Sequence, residues 1–334
     1  MAGEVRIPTT EERPPPVAGE RTLQTEAARC CVCGTRDAEP VAVGEDFEYR
    51  TSPDAFLAVR CTRCGVVYLD PRPTRRELPT IYPDHYHAFA FTEDRFGLVH
   101  RVRSRLEARR LLRALGDLPA DARVIDVGCG DGFHLDLLRR HGPAGWRLEG
   151  VDLDPRAVDA AEGRGLTVHR GSVEDLDLGE RRFDAALLIQ TVEHLADPGR
   201  VLRAVRRLLV PGGRVLVVTD NTGSPDFALA KRRHWGGYHF PRHWYLFDGP
   251  SLRALAVRSG FEVAELSTMV SPVNWTYSVR NALDDWGAPR RVVDWFSLES
   301  PGALAIFTAF DALHTAAGHG ALLRAVLVTP GSSP

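Results

Sequence analysis

Lysine is all but missing from the 334 residues: Lys231 stands alone, and arginine carries the rest of the positive charge. Basic and acidic side chains nearly cancel, 42 against 44, for a formal net charge of -2. A chain so balanced has no general attraction for phosphate backbones or anionic lipid, although a local patch is still allowed. No apolar run reaches membrane-spanning length, and the opening MAGEVRIPTTEERPPP lacks an apolar core, so neither a span nor a secretory leader is expected. The expected compartment is the cytoplasm, where stable disulfides are rare. The six cysteines are therefore read as metal ligands, nucleophiles or core filler. Aromatic residues form only 8% of the chain, yet HWGGYHFPRHWYLF at 234–247 packs six aromatic rings and three histidines into fourteen positions. A packed hairpin and the wall of a reaction site would each account for that concentration.

The remaining composition is that of a globular protein, 44% hydrophobic and 26% charged, at a length suited to two domains or one large domain with an appendage. Residues 1–28 mix Pro, Glu, Arg and Thr without periodicity, the pattern of a mobile tail. Two knuckles follow, CCVCG and CTRCG. Cys30, Cys33, Cys61 and Cys64 make two C-x-x-C pairs, a spacing with which four thiolates wrap one tetrahedral ion. Such a closed set leaves no position for substrate, so structural Zn2+ is expected, with iron as the rival ion. Cys31 could replace Cys30, though C-x-C geometry is tighter. FLAVRC and GVVYLDPRP read as short strands flanking the second knuckle. They give a ribbon over 29–70 with too little apolar core to fold without metal. Residues 71–118 read as a helical connector, in which Leu98, Val102 and Leu106 line one stripe of an arginine-rich helix.

At residue 122 the pattern changes. ARVIDVGCGDGFHLDLLRR is a buried strand, a glycine loop and an amphipathic helix. Gly128, Gly130 and Gly132 form G-x-G-x-G where a ligand would approach the backbone, beside Asp126 near the strand's end. WRLEGVDLDP ends a second strand on Asp152, an acidic residue placed to accept from both hydroxyls of a ribose. LTVHRGSVEDLDL adds a third strand and an acidic loop. RFDAALLIQTVEH and VPGGRVLVVTD supply a fourth and a fifth, FEVAEL a sixth, and LLRAVLVTP an antiparallel edge strand. The alternation with helices predicts an α/β fold, a doubly wound seven-stranded Rossmann-like sheet over 119–270 completed by a final strand in 318–334. Residues 271–317 interrupt its last hairpin as a helical insertion or lid. Singly, each glycine or acid fits a turn or a cap. Their recurrence on successive strand ends is what indicates a nucleotide-like ligand.

The set D-V-G-C-G-x-G, G-V-D-L-D-P, G-S-V-E-D-L, V-E-H and L-x-P-G-G resembles class I S-adenosylmethionine-dependent methyltransferases. That resemblance covers residues 119–270 and the final strand. The cysteine ribbon ahead of the core, YPDHY, and W-G-x-Y-x-F-P-R-H-x-Y-L-F resemble a bacterial group that acts on small molecules. The resemblance implies S-adenosyl-L-methionine as cofactor and methyl transfer as activity. It would place Asp126, Gly128, Cys129, Gly130 and Gly132 by the methionyl part of the cofactor, and Asp152 with Leu153 by its ribose. Ser172, Val173 and Glu174 would lie near adenine, where the family often has Asp in place of Ser172. Gln190 would close the pocket, and Tyr86, with Tyr82, would cover it.

Residues 221–250 follow the fifth strand, so the aromatic segment leaves the sheet at the edge where the methyl donor would bind. Methyl transfer needs an aligned nucleophile and little water. His243 is the first candidate for a base, with His239, Tyr245 and His194 as alternatives. Trp235, Tyr238 and Trp244 would wall an acceptor and Arg242 would orient an anionic one, while PRH fits an architectural turn equally well. The expected substrate is a small cyclic or aromatic metabolite methylated at oxygen or carbon in bacterial biosynthesis. No DNA partner is expected, and a homodimer is left open. One rival is modification of RNA or peptide, where RNA would require a continuous basic surface and salt-sensitive binding. The other is a non-catalytic cofactor-binding protein whose aromatic segment fills the acceptor space itself.

Overall fold

A computed structural model describes residues 22–83, 86, 93–179 and 182–331, the side chains of 93–103 excepted. The tail up to residue 21, and the Leu98 and Val102 part of the connector stripe, lie outside the described residues and side chains. Residues 22–28 do not hang free. Backbone N–H groups of Leu23 and Ala28 donate to the carboxylates of Asp54 and Asp70 at 2.8 and 2.9 Å. Strand β1 (Thr25–Glu26) forms between these anchors.

The ribbon contains β2 (Ala38–Gly44), β3 (Phe56–Cys61) and β4 (Val67–Leu69), paired antiparallel in that order, and β5 (Arg72–Pro73), which pairs with β1. Helices α1 (Leu78–Ile81) and α2 (Glu93–Leu115) connect it to the large sheet. That sheet begins with β6 (Arg123–Val127), α3 (Phe133–His141), β7 (Arg147–Asp152), α4 (Pro155–Gly163) and β8 (Thr167–Arg170). It continues through β9 (Phe183–Ile189), α5 (Pro198–Leu208) and β10 (Leu209–Asp220). Helices cover both faces, so the central strands RVIDV and FDAALLI are apolar almost throughout rather than alternating. The helices start where the sequence supplies caps. Asp154 accepts from the Arg156 N–H and Asp197 from the Arg200 N–H, each followed by a proline at the first helical position.

After β10 come α6 (Pro225–Ala230), β11 (Tyr245–Leu246), α7 (Gly249–Arg258) and β12 (Glu262–Met269). The insertion is helical: α8 (Pro272–Asp285), α9 (Arg290–Trp295) and α10 (Pro301–Ala316) precede β13 (Leu322–Val328). The seven-stranded order is β12-β13-β10-β9-β6-β7-β8. Strands β6 to β10 are mutually parallel, and β13 runs antiparallel to both β10 and β12. The final strand is thus interior rather than at the edge: LLRAVLV is apolar enough to be covered, and the more exposed β12 takes the rim. No helix among the described residues is long and apolar enough to cross a membrane.

Strand β11 joins the ribbon and not the large sheet. Tyr245 pairs with Tyr68 and Leu246 with Val67, giving a four-stranded sheet β11-β4-β3-β2. The Leu69 N–H also donates to the Trp244 carbonyl at 3.1 Å. One apolar core therefore runs from Phe56 and Tyr68 of the ribbon to Val192 and Val217 of the large sheet. Inside it, Arg242 donates to both carboxylate oxygens of Asp46 at 3.1 and 2.8 Å, and its guanidinium lies 4.4 Å from the Tyr49 ring centroid. Neither side chain of this pair is exposed. Asp46→Ala strands that guanidinium in the core, and urea denaturation should show a loss of about 3–5 kcal/mol. A change below about 1 kcal/mol would mean that the pair does not join the two sheets.

Candidate functional site

The glycine loop connects β6 to α3. Gly128, Gly130 and Gly132 have φ of 75, 54 and 79°, the left-handed region that favours glycine. Their tasks differ. A Cβ on Gly132 would collide with Leu166, and one on Gly128 would lie 2.6 Å from Thr191 Cγ2. A Cβ on Gly130 would meet no atom within 4 Å, so this residue borders open space. The Gly130 N–H donates to Asp152 Oδ2 at 2.9 Å, while the Asp154 N–H donates to Oδ1 at 2.9 Å. Both oxygens are thereby aimed at the end of β7. Asp126 is 1% exposed, and among the described residues its Oδ2 has no hydrogen-bond partner, His134 Nδ1 lying 3.8 Å away. Burial, and then the nearby Asp152, push its carboxyl up to about 8.

An unsatisfied buried carboxylate oxygen beside an open glycine fits a ligand that brings positive charge and hydrogen-bond donors. S-adenosyl-L-methionine has both. Cys129 is buried and packs against Gly150, whereas Leu153 is 52% exposed at the mouth. Val173 is buried, and the Ser172 hydroxyl donates to Glu174, which also meets Arg75 at 3.4 Å. Gln190 ends β9 with φ of 51°, its N–H bound to the Val218 carbonyl at 2.8 Å. Left-handed backbone at a non-glycine residue is a cost that strand-end sites tolerate when the surrounding structure enforces it.

Beside the ends of β9 and β10, three imidazoles converge. The His194 and His239 ring centroids lie 4.6 and 5.0 Å from that of His243. His239 Nδ1 is 2.9 Å from Glu48 Oε1, and its Nε2 is 3.4 Å from the Tyr86 hydroxyl. His243 Nδ1 donates to the Gly237 carbonyl at 2.8 Å and lies 3.3 Å from Asp220 Oδ2. His194 Nδ1 lies 2.8 Å from the Tyr82 hydroxyl and 3.1 Å from the Arg242 carbonyl. Burial, and then the two neighbouring histidines, hold His243 well below its usual range, so this imidazole stays neutral.

Five other residues expected in the site are committed elsewhere. The Tyr245 hydroxyl donates to the Arg29 carbonyl at 3.0 Å on the ribbon side of β11, away from the histidines. Arg242 is consumed by Asp46 and cannot orient a substrate anion. Trp235 donates to Asp226 at 2.6 Å, and Tyr238 donates to the Lys231 carbonyl while stacking on Phe240. Trp244 donates to the Pro241 carbonyl at 3.1 Å and lies beneath Arg72. Each of these rings is about 1% exposed. They are the packed hairpin of the first alternative; of the segment's three histidines, His239 and His243 reach the cluster, while His234 pairs with Asp285 at 2.8 Å. Sequence reasoning missed Glu48, whose only signal is its position in GEDFEYR between the knuckles.

The four cysteines converge. Cys30–Cys64, Cys33–Cys64, Cys33–Cys61 and Cys61–Cys64 Sγ separations are 3.2, 3.3, 3.5 and 3.5 Å. A tetrahedron with metal–sulfur bonds of about 2.3 Å has edges of about 3.8 Å, so a small expansion admits the ion.

A family model described as a methyltransferase domain matches residues 98–266, just over half of the chain. The ubiquinone biosynthesis O-methyltransferase of Cereibacter sphaeroides strain ATCC 17025 is 34% identical over 169 residues, covering 47% of this chain and 67% of that protein. The enzyme of the same name from Xanthomonas oryzae pv. oryzae strain PXO99A is 38% identical over 118 residues, covering 33% of this chain and 48% of its own length. Among solved structures, phosphoethanolamine N-methyltransferase 2 of Haemonchus contortus, bound to S-adenosyl-L-methionine, superimposes with a TM-score of 0.50. It is 19% identical and covers 88% of this chain and 68% of that one, a likeness of fold. The chain belongs to the class I S-adenosylmethionine-dependent methyltransferases.

The state of Asp126 has a measurable consequence. Its carboxyl moves from 3.8 to about 8 on folding, so between these values the folded chain retains a proton that the unfolded chain has lost. Stability from this group is full below the lower value, falls as pH rises, and is gone above the upper one. Asp126→Asn cannot ionise. Its melting temperature relative to the parent should rise steadily from about pH 5 to about pH 8 in the absence of ligand. An offset that stays constant over that range would show that Asp126 is ionised throughout.

Proposed function

We propose that the protein transfers the methyl group of S-adenosyl-L-methionine to a hydroxyl oxygen of a small metabolite, with His239 as the proton acceptor. The cofactor supplies a methyl group made electrophilic by a positively charged sulfur. The chain supplies the binding surface at Gly130, with the carboxyl groups of Asp152 and Asp126 contributing hydrogen-bonding oxygens. The observation that carries the reading is the His239–Glu48 pair at the same end of the sheet. A carboxylate only accepts, so Nδ1 bears the hydrogen and Nε2 keeps the lone pair. Glu48 then stabilises the imidazolium formed when Nε2 takes a proton. His243, which the sequence puts first, is held neutral by its burial and is tied to the Gly237 carbonyl, which disfavours it as the proton acceptor. The names of the curated relatives support oxygen over carbon as the acceptor atom.

The ribbon belongs to this function. Its four thiols fit structural zinc, and the loop between its knuckles carries Asp46, Glu48 and Tyr49 to the histidines. A ribbon that kept this loop in place only when metal-loaded would couple zinc content to turnover.

The deciding experiment incubates the protein with labelled methyl donor and a producing-cell metabolite extract, and identifies the labelled product by mass. His239→Asn should then lower turnover by about 10²-fold or more while cofactor affinity, read by calorimetry, stays near wild type. Full activity in that variant would transfer the proton-accepting role elsewhere. A separate expectation concerns the thiols: Cys33→Ser should reduce bound zinc, lower the melting temperature and reduce turnover together. Unchanged zinc content would remove the four-thiolate assignment.

A further inference from the structure

We propose that Glu193, His194 and His243 form a second metal site, holding a divalent cation that takes an oxygen of the acceptor. The inference rests on the methyl-transfer reading for its role, though not for its existence. One ligand atom from each of the three residues lies within 4.8 Å of the others. Closure by about an ångström brings such atoms within reach of an ion at about 2.1 Å.

The three residues come from two places in the chain. Glu193 and His194 stand in the turn after β9, and His243 precedes β11. The Trp244 N–H donates to the Glu193 carbonyl at 2.8 Å, and this backbone bond fixes one segment against the other. Glu193 is fully buried. Its Oε2 accepts from the Thr219 hydroxyl at 2.9 Å, and its Oε1 has no hydrogen-bond partner. A buried carboxylate oxygen without a partner is a costly arrangement that a bound cation would relieve. Asp220 raises the demand. Asp220 is buried close to Glu193, and among the described residues neither acid forms an ion pair with an arginine or lysine. Asp220 Oδ2 lies 3.3 Å from His243 Nδ1, and its other oxygen accepts from Asn274 at 2.7 Å. The cluster therefore has acids and no fixed positive charge.

The histidines have the tautomer that metal ligands need. A backbone carbonyl only accepts, so the Gly237 carbonyl places the hydrogen of His243 on Nδ1 and its lone pair on Nε2; His194 takes the same form when its Nδ1 donates to the Arg242 carbonyl and to the Tyr82 hydroxyl oxygen beside it. Ring N–H donation to a carbonyl is the usual outer support of a metal-bound imidazole. Two neutral imidazoles and one carboxylate suit zinc, manganese or iron in the divalent state. Three protein ligands leave positions open, the pattern of a catalytic ion and unlike the closed cysteine set. An acceptor with two adjacent oxygens would fill them. The ion would lower the pKa of the bound hydroxyl, the O–H bond would break, and the proton would pass to His239 Nε2.

The test uses the full chain with its ribbon zinc in place. Manganese(II) is titrated in and the free aqua ion is counted by electron paramagnetic resonance, since manganese disfavours thiolate ligands. The wild type should bind one equivalent. Glu193→Gln and His243→Asn should each weaken that binding by more than about tenfold while retaining the ribbon zinc, which also reports that they have folded. A wild type that takes up neither manganese nor a second equivalent of zinc at millimolar ion overturns the site. Labelled methyl transfer that continues undiminished with only the ribbon ion present removes the proposed role and leaves the methyl-transfer reading intact. A second ion retained by a chain that shows no affinity for the methyl donor supports the site and removes that reading instead.

Discussion

Arg242 and Asp46 meet with neither side chain exposed, and the geometry around the histidines hangs on that contact. Two charges removed from water are tolerated only when each is fully hydrogen-bonded. Asp46 meets that demand through Arg242, the Tyr49 and Thr51 N–H groups and the Thr51 hydroxyl. Burial pushes its carboxyl up, and these donors more than reverse the shift, holding it below the usual range. The same bonds curl residues 46–51 into a tight loop. Glu48 and Tyr49 are members of that loop, so its shape sets where they meet His239 and the guanidinium. The backbone on either side of Arg242 carries His239 and His243. One ion pair thus positions two of the three imidazoles and the carboxylate that orients one of them.

It follows that the ribbon is a part of the site rather than an attachment to it. One edge of its sheet is completed by β11, which comes from the segment after the fifth parallel strand. Its interior joins the apolar core of the large sheet. A ribbon that recognised a separate macromolecule would not need to reach 191 residues along the chain to bond a histidine with Glu48. Holding the loop of residues 46–51 rigid is a task to which a four-cysteine module would be suited, because four ligands on one ion fix a small fold that has little core of its own.

The large sheet was legible because its signals are local. RVIDV and ALLI are continuous apolar runs, Gly128 to Gly132 follow a strand at once, and Asp152 stands at the end of the next. The convergence of Cys30, Cys33, Cys61 and Cys64 was legible for the same reason, since C-x-x-C sets its own geometry. What escaped was long-range pairing. No local pattern couples Asp46 to Arg242 or Glu48 to His239. The place of β13 was misjudged because antiparallel direction says nothing about whether a strand is rim or interior. The aromatic segment shows the limit most clearly. Composition marked 234–247 as unusual, but it could not say which rings face inward. Trp235, Tyr238 and Trp244 each found a hydrogen-bond acceptor in the fold and are filler between two sheets.

The electrostatics of the strand ends point to what must come from outside. Asp126 lies at the end of β6, and Glu193 and Asp220 lie beside the ends of β9 and β10. All three are buried, and in all three burial is the leading cause of a raised carboxyl pKa, with Asp220 pushed up to about 7. Elsewhere the chain pairs its acids freely with its many arginines: Asp46 and Asp154 are held below their usual range by such partners, and Glu149 by His169 together with Arg123 and Arg182. Arginine is therefore not in short supply, yet among the described residues none pairs with these three; the basic side chains near them are imidazoles, His134 at 3.8 Å from Asp126 and His243 at 3.3 Å from Asp220. An acid that is buried without a counter-charge costs folding free energy, and a site is where such a cost is kept when a ligand will relieve it. At the β6 end, a positively charged methyl donor answers the need. At the β9 and β10 ends the same logic calls for a second positive charge, and a nucleophilic oxygen held between the two would be drawn toward ionisation by both.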